Sequence, residues 1–458
     1  MTLFAEAALL DDGWARNVAI DISNDGSIAH VARDVDEGDC ERLGGVVIPA
    51  MSNLHSHAFQ RALAGRTGRS RNTRGVASTD DSFWTWRQAM YRFLERVDAD
   101  AFEAIAAQVY VEMAKAGYSA VAEFHYVYHD VNGAPYADPA ELAWRIVSAA
   151  KVAGIALTLL PVFYAHSGFG GSPASASQRR FTHTLDTFAR LHDRLHHARN
   201  QHGYVLGLAP HSLRAVTGEE LTELVLRAPP DTPIHIHAAE QTAEVDACVA
   251  WSGMRPVEWL LQRADVDARW CLVHATHMTE RETADLAASR AVAGLAPTTE
   301  ADLGDGTFPG LAYMAANGRL GVGSDSNTIV DPFAELRQLE WSQRLSERKR
   351  NVLTRDGAIS VGTSLWSAAA AGGAQAVGRR TGTIAAGHRA DLLVLNTDDM
   401  ALAEQAPDDM LDAAIFGPCT RPVRHVMVDG QWVVRGGRHP REAEVFARYR
   451  AVLCELAR

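Results

Sequence analysis

The residues best suited to chemistry in this chain are histidines and carboxylates at the ends of apolar runs. His55-Ser56-His57 closes one such run. Alternate residues of a strand point the same way, so both imidazoles can converge on one cation. A second run ends His235-Ile236-His237-Ala238-Ala239-Glu240, a third carries His274 and His277, and a fourth ends Gly323-Ser324-Asp325-Ser326. Spacing alone leaves open whether His235 or His237, and His274 or His277, belongs with them. Nitrogen-rich ligation without thiolate suits zinc, while iron or another divalent ion also fits such donors. A bound ion of this kind lowers the pKa of its water toward ~7 and supplies a nucleophile for hydrolysis at neutral pH. For Glu240 the competing reading is a carboxylate that only opens a helix at Gln241-Thr242-Ala243, favoured there by the helix dipole.

Something must hold these clusters at one place, and the periodicity supplies it. Eight near-continuously apolar runs occupy the middle of the chain, at 46–57, 119–127, 155–164, 204–212, 233–240, 270–277, 291–299 and 319–327. Each reads as a strand buried on both faces and each is followed by an amphipathic stretch, such as 140–154, that reads as a helix. Eight such units predict a (β/α)8 TIM-type barrel, whose active sites are built at the C-terminal ends of the strands. Seven of the eight runs end in polar or titratable residues on that side. The flanks instead alternate in short segments (VAIDIS, ADLLVLN, RHVMVDGQWVV) punctuated by Asp-Gly and Gly-Gly, which are hairpin signals. The expected organisation is a β-sandwich assembled from residues 1–48 and 384–440, a barrel over 49–383 and a terminal helix over 441–458. Gly168–Ser172 (GFGGS) lacks the spacing of a phosphate cradle and reads as a mobile loop over the rim. His192 and His196 are read as residues of a solvated helix, Cys271 as a small core residue, and Trp84 and Trp86 as packing residues.

Composition removes several classes of function. The 458 residues are 47% hydrophobic and 22% charged, and 44 Lys+Arg against 56 Asp+Glu give a formal charge of −12. That balance does not favour nucleic acid or anionic lipid as partners. Five scattered cysteines without a C-x-x-C pair read as reduced thiols of a cytoplasmic protein. An acidic N-terminus and the lack of any long apolar run argue against export and membrane insertion.

The order of H-x-H after the first strand, histidines after the fifth and sixth and a lone Asp after the eighth resembles the amidohydrolase superfamily. Gly382–Asn396 (GTIAAGHRADLLVLN) is similar to the segment that follows the barrel in these enzymes. His237-Ala-Ala-Glu240 is similar to the H-x-x-E of the deaminase branch, in which the glutamate shuttles protons. Asn53-Leu-His-Ser-His-Ala-Phe-Gln-Arg61, Ser82-Phe-Trp-Thr-Trp-Arg-Gln-Ala-Met-Tyr91 and Ala122-Glu-Phe-His-Tyr126 narrow the resemblance to the formimidoylglutamate deiminases of histidine degradation. It implies hydrolysis of a C=N bond in N-formimino-L-glutamate, a small dicarboxylate, with release of ammonia. Metal ligands would be His55, His57, His237 and Asp325, and protons would be handled by Glu240, His274 and Asp325. Arg87, Tyr126, His211 and Arg214 would hold the substrate, and Gln60 would contact the formimino group. A homodimer is expected. Two-metal members bridge their ions with a lysine at the end of the fourth strand, but here that strand ends Ala209-Pro-His-Ser-Leu-Arg214. One Zn2+ per chain is therefore expected. Two competing readings are a deaminase of an aromatic base of the guanine or adenosine type, and a barrel that has lost catalysis and serves as a scaffold. The first wants stacking faces where this rim offers two arginines and a histidine, and the second is opposed by a complete ligand set.

Overall fold

Strands covered on both faces need apolar side chains in both directions, and the runs supply them. Every residue of Tyr118–His125 and Ala156–Phe163 is buried. The computed structural model describes residues 1–67, 82–354 and 360–457. Met51–Ser56, Tyr118–His125 and Ala156–Phe163 pair in parallel, and the short strands Val205–Leu206 and Ala209–Pro210 both pair with the last of these. Ile234–Ala238, Trp270–His274, Val292–Leu295 and Arg319–Val322 form a second parallel sheet. Isolated parallel bridges join the sheets at both margins, through Leu208–Ile234 and Ser212–His237 on one side and Ser56–Asp325 on the other. All these strands thus end at one rim, with helices such as Glu141–Ala153 and Glu280–Ser289 between them.

Two runs differ from the single strands predicted. The 46–57 run is two strands, because the ladder changes partner at Ala50. The Ala50 amide donates to the Asp391 carbonyl at 3.0 Å and that of Met51 to Gly117 at 3.1 Å. Val46–Pro49 therefore belongs to the outer sheet, and the expected boundary after residue 48 falls inside it. The 204–212 run breaks at Gly207, where a Cβ would stand 2.9 Å from the Pro233 carbonyl oxygen.

Both chain ends build one mixed sheet, in the order Gln431–Val434, Val423–Val428, Leu392–Leu395, Val46–Pro49, Thr2–Leu10, Gly13–Ile22, Ile28–Ala32. Its alternate residues Leu3, Ala5, Val18, Ile20, Leu392 and Val394 form a core of their own, apart from the main one. The predicted Asp-Gly hairpin is present, with Asp429 at φ 49 and Gly430 at φ 74 as a tight two-residue turn requires. The segment expected to be all strand also contains the helix Pro407–Phe416, which buries Met410, Leu411, Ala414 and Ile415. GFGGS forms the turn of a short hairpin, His166–Gly168 against Ser172–Pro173, with Gly170 and Gly171 at positive φ. Among the described residues no helix is long and apolar enough to cross a membrane.

Candidate active site

His55 is the next-to-last residue of the strand Met51–Ser56, and His57 precedes a short 3-10 helix, Ala58–Leu63. His57 Nδ1 lies 3.0 Å from the Phe124 carbonyl and His237 Nδ1 3.0 Å from that of His211. A carbonyl only accepts, so each Nδ1 carries the proton and each Nε2 presents a lone pair. The Nε2 atoms of His55 and His237 are 3.1 Å apart, and Asp325 Oδ1 is 3.5 Å from that of His55 and 3.4 Å from that of His57. Ligand atoms around one tetrahedral first-row ion at ~2.0–2.1 Å stand about 3.3 Å apart, so the spacing fits a single divalent cation. His55, His57 and His237 are the one group of this kind among the described residues. His235, equally in phase with His237, is engaged elsewhere, its Nε2 lying 2.8 Å from the Ala376 carbonyl. His192 Nε2 is likewise spent, 3.2 Å from the Gly207 carbonyl.

The backbone at the rim is bent to aim these groups. Ala239, His274, Ala275, Asp325 and Asn327 have φ between 43° and 70°. Left-handed backbone costs a non-glycine residue roughly 1–2 kcal/mol, so it persists only where the surroundings impose it. Asn53 is part of that support. Its Nδ2 donates to Ser324 Oγ at 2.6 Å and its Oδ1 accepts from the Ser324 amide at 3.1 Å, while Asn327 Nδ2 donates to the carbonyls of His57 and Asp325 at 3.0 Å. At Gly323 a Cβ would lie 2.6 Å from the His55 carbonyl oxygen, so only glycine lets the first and last strands close up.

Above the nitrogens stand three titratable groups. His274 Nε2 is 3.7 Å from Glu240 Oε1 and 4.0 Å from Asp325 Oδ2, and its Nδ1 donates to Glu300 Oε1 at 3.2 Å. Burial works against the charged imidazole, but Glu240, Glu300 and Asp325 together hold His274 protonated, with a pKa pushed up to about 10. Burial raises the Glu240 carboxyl above its usual range despite His274 and Arg214 nearby. Burial also disfavours ionised Asp325, yet His55, His57 and His274 reverse this and lower it. The helix-opening reading of Glu240 meets a specific obstacle. The helix Thr242–Ser252 starts at Gln241 with no side-chain cap, and the Glu240 carboxyl faces His274 and Arg214 instead. His277 turns away from the cavity, its Nε2 2.8 Å from the Asp305 carbonyl.

A cavity of about 60 Å³ is lined by His57, Gln60, Arg87, Tyr126, His211, Arg214, His237, Glu240, His274 and Asp325. His55 lies beneath it. Of the residues expected at the site, all are thus brought together. Gln60 Nε2 donates to the Tyr126 hydroxyl at 3.0 Å, leaving its buried Oε1 without a partner. Arg214 Nε is also buried and unpartnered, and its Nη2 is 3.8 Å from Glu240 Oε2. Burial, then Arg214 and Arg87, keep His211 neutral, far below the usual imidazole range. Trp86 packs against the main core, as expected, and also lines the cavity, whereas Trp84 is exposed and not the packing residue expected.

Sequence reasoning did not find Glu300, Asn53 or Glu123. Glu123 is buried in the strand Tyr118–His125, accepts from the Ala58 amide at 2.8 Å, and has its pKa pushed up to about 8 by burial. A carboxylate inside an apolar strand was the available signal.

The chain matches the amidohydrolase family over residues 46–433 and the N-terminal domain of the formimidoylglutamate deiminase HutF over residues 1–45. The formimidoylglutamate deiminase of Pseudomonas aeruginosa is 52% identical over 454 residues, 99% of either chain. The crystal structure of an amidohydrolase from Brucella melitensis is similar at TM-score 0.93 and 46% identity, covering 100% of both chains. An adenosine deaminase from Xanthomonas campestris, crystallised with bound zinc, shares the fold at TM-score 0.80 and 20% identity, over 100% of this chain and 98% of its own. A hydrolytic rim and full-length similarity lead to one assignment: the chain belongs to the amidohydrolase family and, within it, to the formimidoylglutamate deiminases, hydrolases of carbon–nitrogen bonds.

Proposed function

We propose that this protein hydrolyses the C=N bond of N-formimino-L-glutamate to N-formyl-L-glutamate and ammonia, in histidine degradation, with one zinc ion per chain. The observation that carries the reading is the pairing, within one cavity, of a hydrolytic centre with two guanidiniums, Arg87 and Arg214, suited to a dicarboxylate. The joined parallel sheets are read as one (β/α)8 barrel that starts after Val46–Pro49 and runs to residue 383. The sheet from both ends, Val46–Pro49 included, is read as a small β-sandwich completed by residues 384–440 and followed by the helix Glu442–Leu456.

His55, His57, His237 and Asp325 would hold the ion. When bound, it supplies a water whose pKa is lowered toward ~7. Asp325 Oδ2, turned toward His274 rather than the histidine nitrogens, takes a proton from the attacking water. Glu240, whose neutral form burial favours, delivers its proton to the imine nitrogen, and His274, held toward its charged form by Glu300 and Asp325, donates a hydrogen bond to the oxygen that develops charge. Collapse of the tetrahedral centre moves the Asp325 proton to the departing nitrogen and returns the hydroxyl proton to Glu240, so ammonia leaves and both carboxyls are reset.

Two measurements test this reading. Purified enzyme should release ammonia from formiminoglutamate and not from guanine, and the opposite preference would transfer the site to the aromatic-base deaminases. Elemental analysis should give close to one equivalent of zinc. The lysines that might bridge a second ion are remote, Lys115 paired with Glu442 and Lys151 beside His202. Two tightly held equivalents would refute the mononuclear site.

A further inference from the structure

Arg87 lies on the helix Phe83–Leu94, outside the ring of strands, yet its guanidinium is held from the rim. Its Nε donates to the Tyr91 hydroxyl at 2.6 Å, one turn along the same helix, and its Nη2 donates to the Tyr164 hydroxyl at 3.0 Å. Tyr164 directly follows the strand Ala156–Phe163, and Gln178 Nε2 also donates to its hydroxyl, at 2.5 Å. A phenol oxygen has two acceptor sites, so Arg87 and Gln178 fill both on Tyr164 and fix where that oxygen sits. Among the described residues Arg87 has hydrogen bonds to these two phenols and no ion pair.

That choice of partner has a consequence. Carboxylates would hold the guanidinium equally well, but they would neutralise it and compete with an anionic ligand. Neutral phenols orient it, use two of its five N–H donors, and leave its charge and remaining donors for a ligand. Fixing the side chain beforehand also spares the loss of rotamer freedom on binding.

We infer that Tyr164, assisted by Tyr91 and Gln178, is a positioning residue that sets Arg87 to receive one carboxylate of the substrate. The inference rests on the dicarboxylate reading above. Binding of N-formyl-L-glutamate, which has both carboxylates and no imine, is to be measured by calorimetry on metal-loaded wild type, Tyr164→Phe, Arg87→Met and the double variant. Each single change should weaken binding about tenfold, the scale of one lost charge-assisted contact. The double variant should bind no more weakly than Arg87→Met alone, because Tyr164 acts only through Arg87. Unchanged affinity in Tyr164→Phe, additive losses in the double variant, or failure of wild type to bind the dicarboxylate would each overturn the assignment. A wild type that binds this compound but releases no ammonia from formiminoglutamate sinks the catalytic reading alone.

Discussion

Glu240→Gln is expected to lower kcat by ~10²–10⁴ while leaving metal content and thermal stability at wild-type levels. The amide keeps the shape of the carboxyl but cannot give a proton to the imine nitrogen. Stability should be spared because the carboxyl has no close partner. Its contacts are His274 at 3.7 Å and Arg214 at 3.8 Å, and the helix that follows, Thr242–Ser252, starts without a cap from any side chain, Glu240 included. Metal content should hold because the ligand spacing involves His237 and not Glu240. Single-turnover kinetics beside elemental analysis separates the outcomes. Full activity would remove Glu240 from proton transfer, and joint loss of metal and activity would mean that it is a ligand.

What could be read from the sequence was what repeats along the chain. His55 and His57 announce themselves because a strand returns the same face every second residue, and the apolar runs do so because burial on both faces leaves no alternation. The same period cannot separate His237 from His235, since both share a face. What distinguishes them is the Ala376 carbonyl beside His235, a residue 141 positions away. Asn53 and Ser324 are 271 positions apart and meet only when the first strand closes on the last, so nothing local marks them. Gly323 was visible only as one glycine among many, because its requirement comes from the His55 backbone rather than from a turn. The division of the 46–57 run was hidden for the opposite reason. Both halves are fully buried, and apolar composition does not say which sheet buries them. Helix Pro407–Phe416 lies in a region whose hairpin signals suggested strands throughout, though Pro407 marks its start.

Arg214→Met should reduce kcat/KM for formiminoglutamate by roughly ten- to a hundredfold, the effect of losing a charge-assisted pair of ~1.5–3 kcal/mol. Its guanidinium is mostly buried with Nε unpartnered, a position that leaves a donor for a ligand. The loss should fall mainly on KM, and the pH profile should show why. Glu240 is surrounded by His274, Arg214, Asp325 and Glu244, and of the two cations among them Arg214 helps to hold its pKa down against burial. Removing that charge raises the Glu240 pKa further, so the general acid stays protonated to higher pH and the alkaline limb of kcat moves upward. A residue that merely braced the rim would shift neither KM nor that limb. Unchanged kinetics would place Arg214 outside the binding site and reopen the aromatic-base reading. A fall in kcat with the alkaline limb moved downward would mean that Arg214 acts on the chemistry in a way opposite to the one its distance from Glu240 predicts.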